Sequence, residues 1–186
     1  MARAAAPVVV VLASGRGDRF VASGGRGSKL QALLGGKSVL QRTLDAVRAS
    51  GLTWHLEDAG HAGMGYSIAA GVRATGDAQG WLILPGDLPL VRPESLQRVA
   101  AALAGHAVVL PTCEGRQGHP VGFGPECRDA LLLLSGPQGA ALVARAYKMT
   151  QRALQLELDD PGIVTDIDTV DDLARAQAML AGLAQR

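Results

Sequence analysis

Five consecutive apolar positions, Val8-Val9-Val10-Val11-Leu12, carry no polar residue at either parity, the pattern of a strand buried on both faces of a parallel sheet. Shorter apolar runs bounded by turn residues predict further strands at 53–57, 80–84, 107–110, 120–123 and 152–158. Between them apolar residues recur at helical spacing, predicting helices at 38–50, 66–74, 93–104, 126–134, 138–146 and 169–184. Ser38 reads as an N-cap with Gln41 reaching back as a capping box, ahead of Leu40, Leu44 and Val47. Pro93 suits a first helical turn, and Gly105 a stop for the helix carrying Leu96, Val99 and Leu103. Strands alternating with helices predict a single α/β domain over residues 1–186, with a doubly wound, mostly parallel, Rossmann-like sheet. Ligands of such folds sit beyond the carboxyl ends of the strands, so residues just after each strand take the chemical reading.

Composition narrows this picture. A chain of 186 residues with 48% hydrophobic content can bury one sizeable core. Its formal net charge of +1 gives no global field toward nucleic acid or an anionic membrane, so neither is expected as a partner. No run approaches the roughly 20 apolar residues of a membrane span. Residues 1–13 superficially resemble a short signal peptide, but an apolar run feeding a glycine-rich turn is better explained as the first strand. Cys113 and Cys127 lack metal-ligand spacing and read as packing residues rather than a disulfide, which suits a reducing compartment and a soluble, cytoplasmic protein.

Cations do concentrate locally. The turn after the first strand, Ala13-Ser14-Gly15-Arg16-Gly17-Asp18-Arg19, with Arg26 and Lys29 beyond it, offers backbone N–H groups and positive charge to phosphates. It is not the dinucleotide fingerprint, because Phe20 stands where a small residue is needed for close helix packing. Nor is Gly36-Lys37-Ser38 a P-loop, since position 31 is Gln and no buried strand precedes it. After the third strand, Asp87 in Gly86-Asp87-Leu88-Pro89 follows the apolar Leu82-Ile83-Leu84, so it reads either as a ligand for a hard divalent cation or as a turn aspartate. Asp166 and Asp168 flank Ile167 and point the same way, and Asp168 is a second candidate ligand. Thr169 with Asp172 reads as an ordinary capping pair. Gly63-Met64-Gly65-Tyr66-Ser67 opens a helix whose first turn and Ser67 hydroxyl meet either a ligand or their own helix end. Arg116 and His119 lie in a glycine-flexed loop before a strand, whereas His55, His61 and His106 have no comparable setting and are given no role.

These segments, in this order, resemble the MobA-like NTP transferase family. Its opening Leu-Ala-(Ala or Gly)-Gly with a downstream Arg and Lys is matched by Leu12-Ala13-Ser14-Gly15, Arg19 and Lys29. Its Gly-Met-x-x-Ser helix start is matched at 63–67, its Gly-Asp-x-Pro at 86–89, its Gly-His-Pro at 118–120 and its Asp-Ile-Asp-Thr at 166–169. The last two, with Ser14, look most like the cytidylyltransferase branch acting on molybdopterin in molybdenum-cofactor biosynthesis.

The resemblance implies a nucleotidyltransferase fold of the GT-A-like type. Because only residues 52–62 separate the first helix from Gly63, one βα unit after that helix is expected to be missing. Residues 22–27 form a glycine-rich insertion between Arg19 and Lys29. The implied reaction is Mg2+-dependent transfer of a nucleotidyl group, CMP from CTP, to a phosphorylated acceptor such as molybdopterin, with release of pyrophosphate. Arg19, Lys29 and Asp87 would be catalytic; Leu12, Ala13, Ser14, Gly15, Gly17 and Ser67 would bind nucleotide; Arg116 and His119 would face the acceptor; Asp87 and Asp168 would hold the metal. A molybdoenzyme or its maturation factor is the implied protein partner. A sugar-phosphate nucleotidyltransferase, or a nucleotide-binding module without turnover, is the alternative.

Overall fold

The computed structural model describes residues 6–183. The first five residues and the expected helix end at Ala184 lie outside them. Chain order is β1 (Val8–Leu12), α1 (Asp18–Ala22), the two-residue strands β2 (Leu33–Leu34) and β3 (Lys37–Ser38), α2 (Val39–Ala49), β4 (Trp54–Glu57), α3 (Met64–Ala74), β5 (Trp81–Pro85) and α4 (Pro93–Ala102). It continues with β6 (Val108–Cys113), β7 (Arg116–Gln117), β8 (Val121–Phe123), α5 (Arg128–Leu132), α6 (Ala141–Met149), β9 (Ala153–Glu157) and α7 (Val170–Leu183).

The main sheet runs β4-β1-β5-β8-β6, with β9 parallel to β6 and β7 paired to the far end of β6. β1 lies parallel between β4 and β5, and β8 runs antiparallel to both β5 and β6. The sheet is therefore mixed but mostly parallel, as expected for a doubly wound α/β fold. β4 is its edge strand: the short 50–53 connection reaches the sheet once and no described strand lies outside it, which is the geometry of a shortened crossover.

Alternation along the strands builds two core layers. Val9, Val11, Leu82 and Leu84 face α2 and α4, whereas Val10, Leu12, Trp81 and Ile83 face α3, α5 and α6. All five residues of β1 are buried, so its uninterrupted apolar run is explained by cover on both sides. A third cluster, formed by Phe20, Leu30, Leu34, Val39, Ile167 and Ala176, fastens the segment after β1 to α7.

Several element boundaries differ from the sequence expectation. The segment after β1 is not a continuous loop: α1 forms there and buries Phe20. The helix expected at 126–134 is a 3-10 turn at Pro125–Cys127 followed by α5, because Pro125 opens a tight first turn. The expected helix at 138–146 begins later and runs to Met149. Ser38 does cap α2, its Oγ accepting the Gln41 N–H at 3.2 Å, but the reciprocal Gln41 side-chain bond is not among the described contacts. Thr169 and Asp172 cap α7 in both directions. Among the described residues no helix is long and apolar enough to cross a membrane.

The carboxyl ends of three strands are pinned to one another. The Ala13 N–H donates to the Glu57 carbonyl at 2.9 Å, and the Gly86 N–H donates to the Leu12 carbonyl at 2.9 Å. Gly86 eases that approach, since a Cβ there would stand 3.1 Å from the Leu12 oxygen and 2.9 Å from Leu40 Cδ1. The turns that follow β1, β4 and β5 thus leave the sheet side by side.

Candidate active site

Those turns line a cavity of about 820 Å³. Its floor is a set of charges. The Lys29 ammonium lies 2.6 Å from Asp87 Oδ2 and 2.8 Å from Asp168 Oδ1, and Arg19 lies 2.7 Å from Asp168 Oδ2. Each comes from a different place: Arg19 from α1, Lys29 from a 3-10 turn, Asp87 from the turn after β5, and Asp168 from the segment before α7. One backbone bond fixes the two carboxylates in register, the Ile167 N–H donating to the Asp87 carbonyl at 3.0 Å while the Ile167 side chain is fully buried. Alternation then turns Asp166 and Asp168 into the cavity.

The electrostatics follow from this crowding. Burial pulls the Lys29 ammonium toward its neutral form, but the Asp87 and Asp168 carboxylates outweigh that and hold its pKa above the ordinary lysine value. Asp166, with no paired cation among the described residues, is pushed above the usual carboxylate value by burial and by the charges of Asp168 and Asp87. Burial drives the His119 imidazole below its ordinary pKa against the pull of Asp87.

Two buried polar atoms have no hydrogen-bond partner among the described residues, Asp87 Oδ1 and His119 Nδ1. Buried polar atoms in native proteins are nearly always paired, so these two are available to a bound ligand. For a hard divalent cation the donors fit: two carboxylates around one point, one of them with an uncommitted oxygen. Among the described residues no three His, Cys, Asp or Glu side chains form a ready metal cage. A cation held here by Asp87 and Asp168 would take its remaining ligands from substrate phosphates and water, the usual mode for magnesium.

Of the residues singled out in the sequence, Leu12, Ser14, Gly15, Gly17, Arg19, Lys29, Ser67, Asp87, Arg116, His119 and Asp168 all line the cavity. Ala13 does not. It packs against the Phe20 cluster, and its N–H is spent on Glu57. Ser67 meets its own helix end, its Oγ donating to the Gly63 carbonyl at 3.4 Å, and it also lies 2.7 Å from Ser14 Oγ at the cavity wall. Arg116 reaches the Val164 carbonyl, and the His119 N–H donates to the Ile163 carbonyl, so the segment before Asp166 carries this wall too.

The structure adds a wall that the sequence did not reveal. Glu57, at the end of β4, is buried and accepts the Ala59 N–H, with His55 Nε2 at 3.4 Å and His61 Nε2 at 3.0 Å from its oxygens. His61, given no role from its sequence setting, lines the cavity. Burial opposes ionisation of Glu57, yet the Ala59 N–H and the two imidazoles keep its pKa below the ordinary glutamate value.

A family model described as the MobA-like NTP transferase domain matches residues 47–154, more than half of the chain. The bifunctional protein GlmU of Azoarcus sp. (strain BH72) is 30% identical over 145 residues, covering 66% of this chain and 31% of the relative. This chain thus spans about a third of that relative's length. Among solved structures, a nucleotidyl transferase from Methanothermobacter thermautotrophicus superposes with a TM-score of 0.79 at 24% identity, over 96% of this chain and 99% of that one. The Rv0371c protein of Mycobacterium tuberculosis H37Rv in complex with manganese superposes with a TM-score of 0.65 at 22% identity, over 93% and 98% of the two chains. Neighbours at such identity share the fold, and the family match carries the assignment: the chain belongs to the MobA-like NTP transferase domain family.

Proposed function

We propose that this protein is a nucleotidyltransferase that moves CMP from CTP to the phosphate of a small-molecule acceptor, molybdopterin, in the cytoplasm and with Mg2+ as the cation. The single observation that carries the reading is the convergence of Arg19, Lys29, Asp87 and Asp168 on the cavity floor, with Asp87 Oδ1 left unpaired. The Gly-His-Pro and Asp-Ile-Asp-Thr segments support the cytidylyl and molybdopterin choices.

An acceptor phosphate oxygen attacks the α-phosphorus of CTP, the bond to the bridging α–β oxygen breaks, and pyrophosphate leaves with the electron pair. The attacking phosphate is already ionised at neutral pH, so the protein needs no serine or cysteine nucleophile. Its task is to hold the groups in line and offset their charge. Backbone groups from Ser14 to Gly17 line the triphosphate, and Lys29 and Arg19 neutralise it. Arg116 supplies the cation on the acceptor side. His119, neutral at pH 7 because its pKa is lowered, supplies a hydrogen bond rather than a charge. Asp87 and Asp168 would hold the divalent ion, which polarises the reacting phosphate.

The alternative acceptor class is a sugar phosphate. Pyrophosphate release measured with CTP, GTP, UTP and ATP, with molybdopterin or a sugar 1-phosphate, and with or without Mg2+, tests the reading. Release with CTP and molybdopterin supports it; release only with a sugar phosphate transfers the assignment to that class. Binding of nucleotide without release under any condition makes the domain a module without turnover.

A further inference from the structure

The carboxylates that suit a divalent cation are already occupied by this chain's own cation. Lys29 Nζ bridges Asp87 Oδ2 and Asp168 Oδ1, Arg19 takes Asp168 Oδ2, and only Asp87 Oδ1 is uncommitted. Within this network Lys29 and Arg19 offset Asp87 and Asp168, with Asp166 a third carboxylate beside them. A free divalent ion entering this floor meets the Lys29 ammonium, only 12% exposed, where dielectric screening is weak. Arg19 is 77% exposed and yields readily; Lys29 is the obstacle.

We infer that Lys29 bars the free metal ion and that the site takes divalent cation and triphosphate only as a pair. The exchange is short. The Lys29 stem runs beside Gly17, where a Cβ would stand 3.5 Å from Lys29 Cγ, so the side chain already lies along the glycine turn assigned to the triphosphate. A triphosphate in that turn competes for the ammonium as a stronger and more mobile anion than the two fixed carboxylates. Drawing the ammonium onto it frees Asp87 Oδ2 and Asp168 Oδ1 for the ion that arrives with it. One side chain thus makes the oxygens available only when there is a phosphate to bridge. This rests on the nucleotidyltransferase reading, and it deepens that reading by naming the metal–triphosphate complex as the species admitted.

The test is titration of Mn2+ alone, followed by the electron paramagnetic resonance signal of the free ion, on the full chain. Wild type is compared with Lys29→Met and, in case that variant folds poorly, Lys29→Gln; circular dichroism reports the fold. At least a tenfold gain in Mn2+ affinity in a folded Lys29 variant is expected, and it is expected to vanish when Asp87→Asn is added. Equal Mn2+ affinity in wild type and in a folded variant overturns the inference, as does a gain that survives Asp87→Asn. Pyrophosphate release by wild type together with equal Mn2+ affinities defeats this inference alone. A Lys29-dependent gain without release of pyrophosphate defeats only the proposed reaction.

Discussion

Glu57 Oε1 lies 3.0 Å from His61 Nε2, and this contact fixes an imidazole in the cavity wall at the exposed end of the sheet. With that nitrogen engaged, the other ring nitrogen is the one left to meet a ligand. His61→Ala is expected to weaken CTP binding about tenfold, or about 1.4 kcal/mol, without changing binding of inorganic tripolyphosphate. Calorimetry with both ligands checks it, and an equal loss for both would place His61 on the phosphates instead.

Because β4 is an edge strand, this wall is one strand deep. The CTP, GTP and ATP affinities are expected to differ by less than the roughly 10³-fold, about 4 kcal/mol, that a complete hydrogen-bonding pocket supplies. Calorimetric titration with the three nucleotides reads this directly; strong selectivity for one base would mean that the Glu57–His61 wall is sufficient.

Asp87→Asn preserves shape, the Leu88 packing and the backbone bond to Ile167 but removes a charge from the cavity floor. Turnover is expected to fall by about 10²–10³, equivalent to about 2.7–4 kcal/mol of transition-state stabilisation, with little change in melting temperature. Steady-state pyrophosphate release and differential scanning fluorimetry on the same preparation separate the two effects.

α3 starts against backbone, not side chains. A Cβ at Gly65 would stand 2.6 Å from the Ser135 oxygen and 2.7 Å from its carbonyl carbon, atoms that cannot swing aside. Gly65→Ala is therefore expected to destabilise the fold by about 1–3 kcal/mol. It is also expected to weaken nucleotide binding, since Met64 and Ser67 line the cavity from the same turn. Denaturant melts and a CTP titration check both outcomes.

His119 gives a pH dependence with a definite sign. Its native pKa lies below the ordinary value of 6.5, so below that pH the unfolded chain binds a proton that the native imidazole refuses. Stability is accordingly lost as pH falls through the unfolded pKa, and His119 adds no slope above it. His119→Asn should reduce the fall in melting temperature between about pH 7.5 and about pH 5.5. An unchanged slope would assign the acid sensitivity to other groups.

Much of this was legible along the chain, and the omissions have physical causes. The β1 run announces a strand covered on both faces, and Asp87 and Asp168 stand out as carboxylates at the ends of apolar segments. That the Lys29 ammonium pairs directly with both carboxylates was not legible, because Lys29 and Asp168 are 139 positions apart and only the docked segment before α7 brings them together. α1 has five residues, too few to show a period. Ala13 packs into the Phe20 cluster instead of along the cavity, a placement that a glycine-rich turn does not reveal in sequence. Glu57 obeys the same strand-end rule as Asp87, and applying it to β4 would have found both Glu57 and, four residues on, His61.

Between β9 and α7 the chain crosses the cavity as a strap held at its start by Asp160. This buried carboxylate accepts from Ser95 Oγ at 2.6 Å, the Arg92 N–H at 3.0 Å and the Gly162 N–H at 2.9 Å. The strap then supplies the Ile163 carbonyl to His119, the Val164 carbonyl to Arg116, and Asp168 to Lys29 and Arg19. The reacting floor is thus assembled from opposite ends of the polypeptide, and it is complete only after the final fifth of the chain has docked. Segments without strand pairing of their own belong to the less stable part of a native structure and open before its central strands. Amide exchange across 160–169 should therefore report loss of the site at denaturant concentrations that leave β1 and β5 protected.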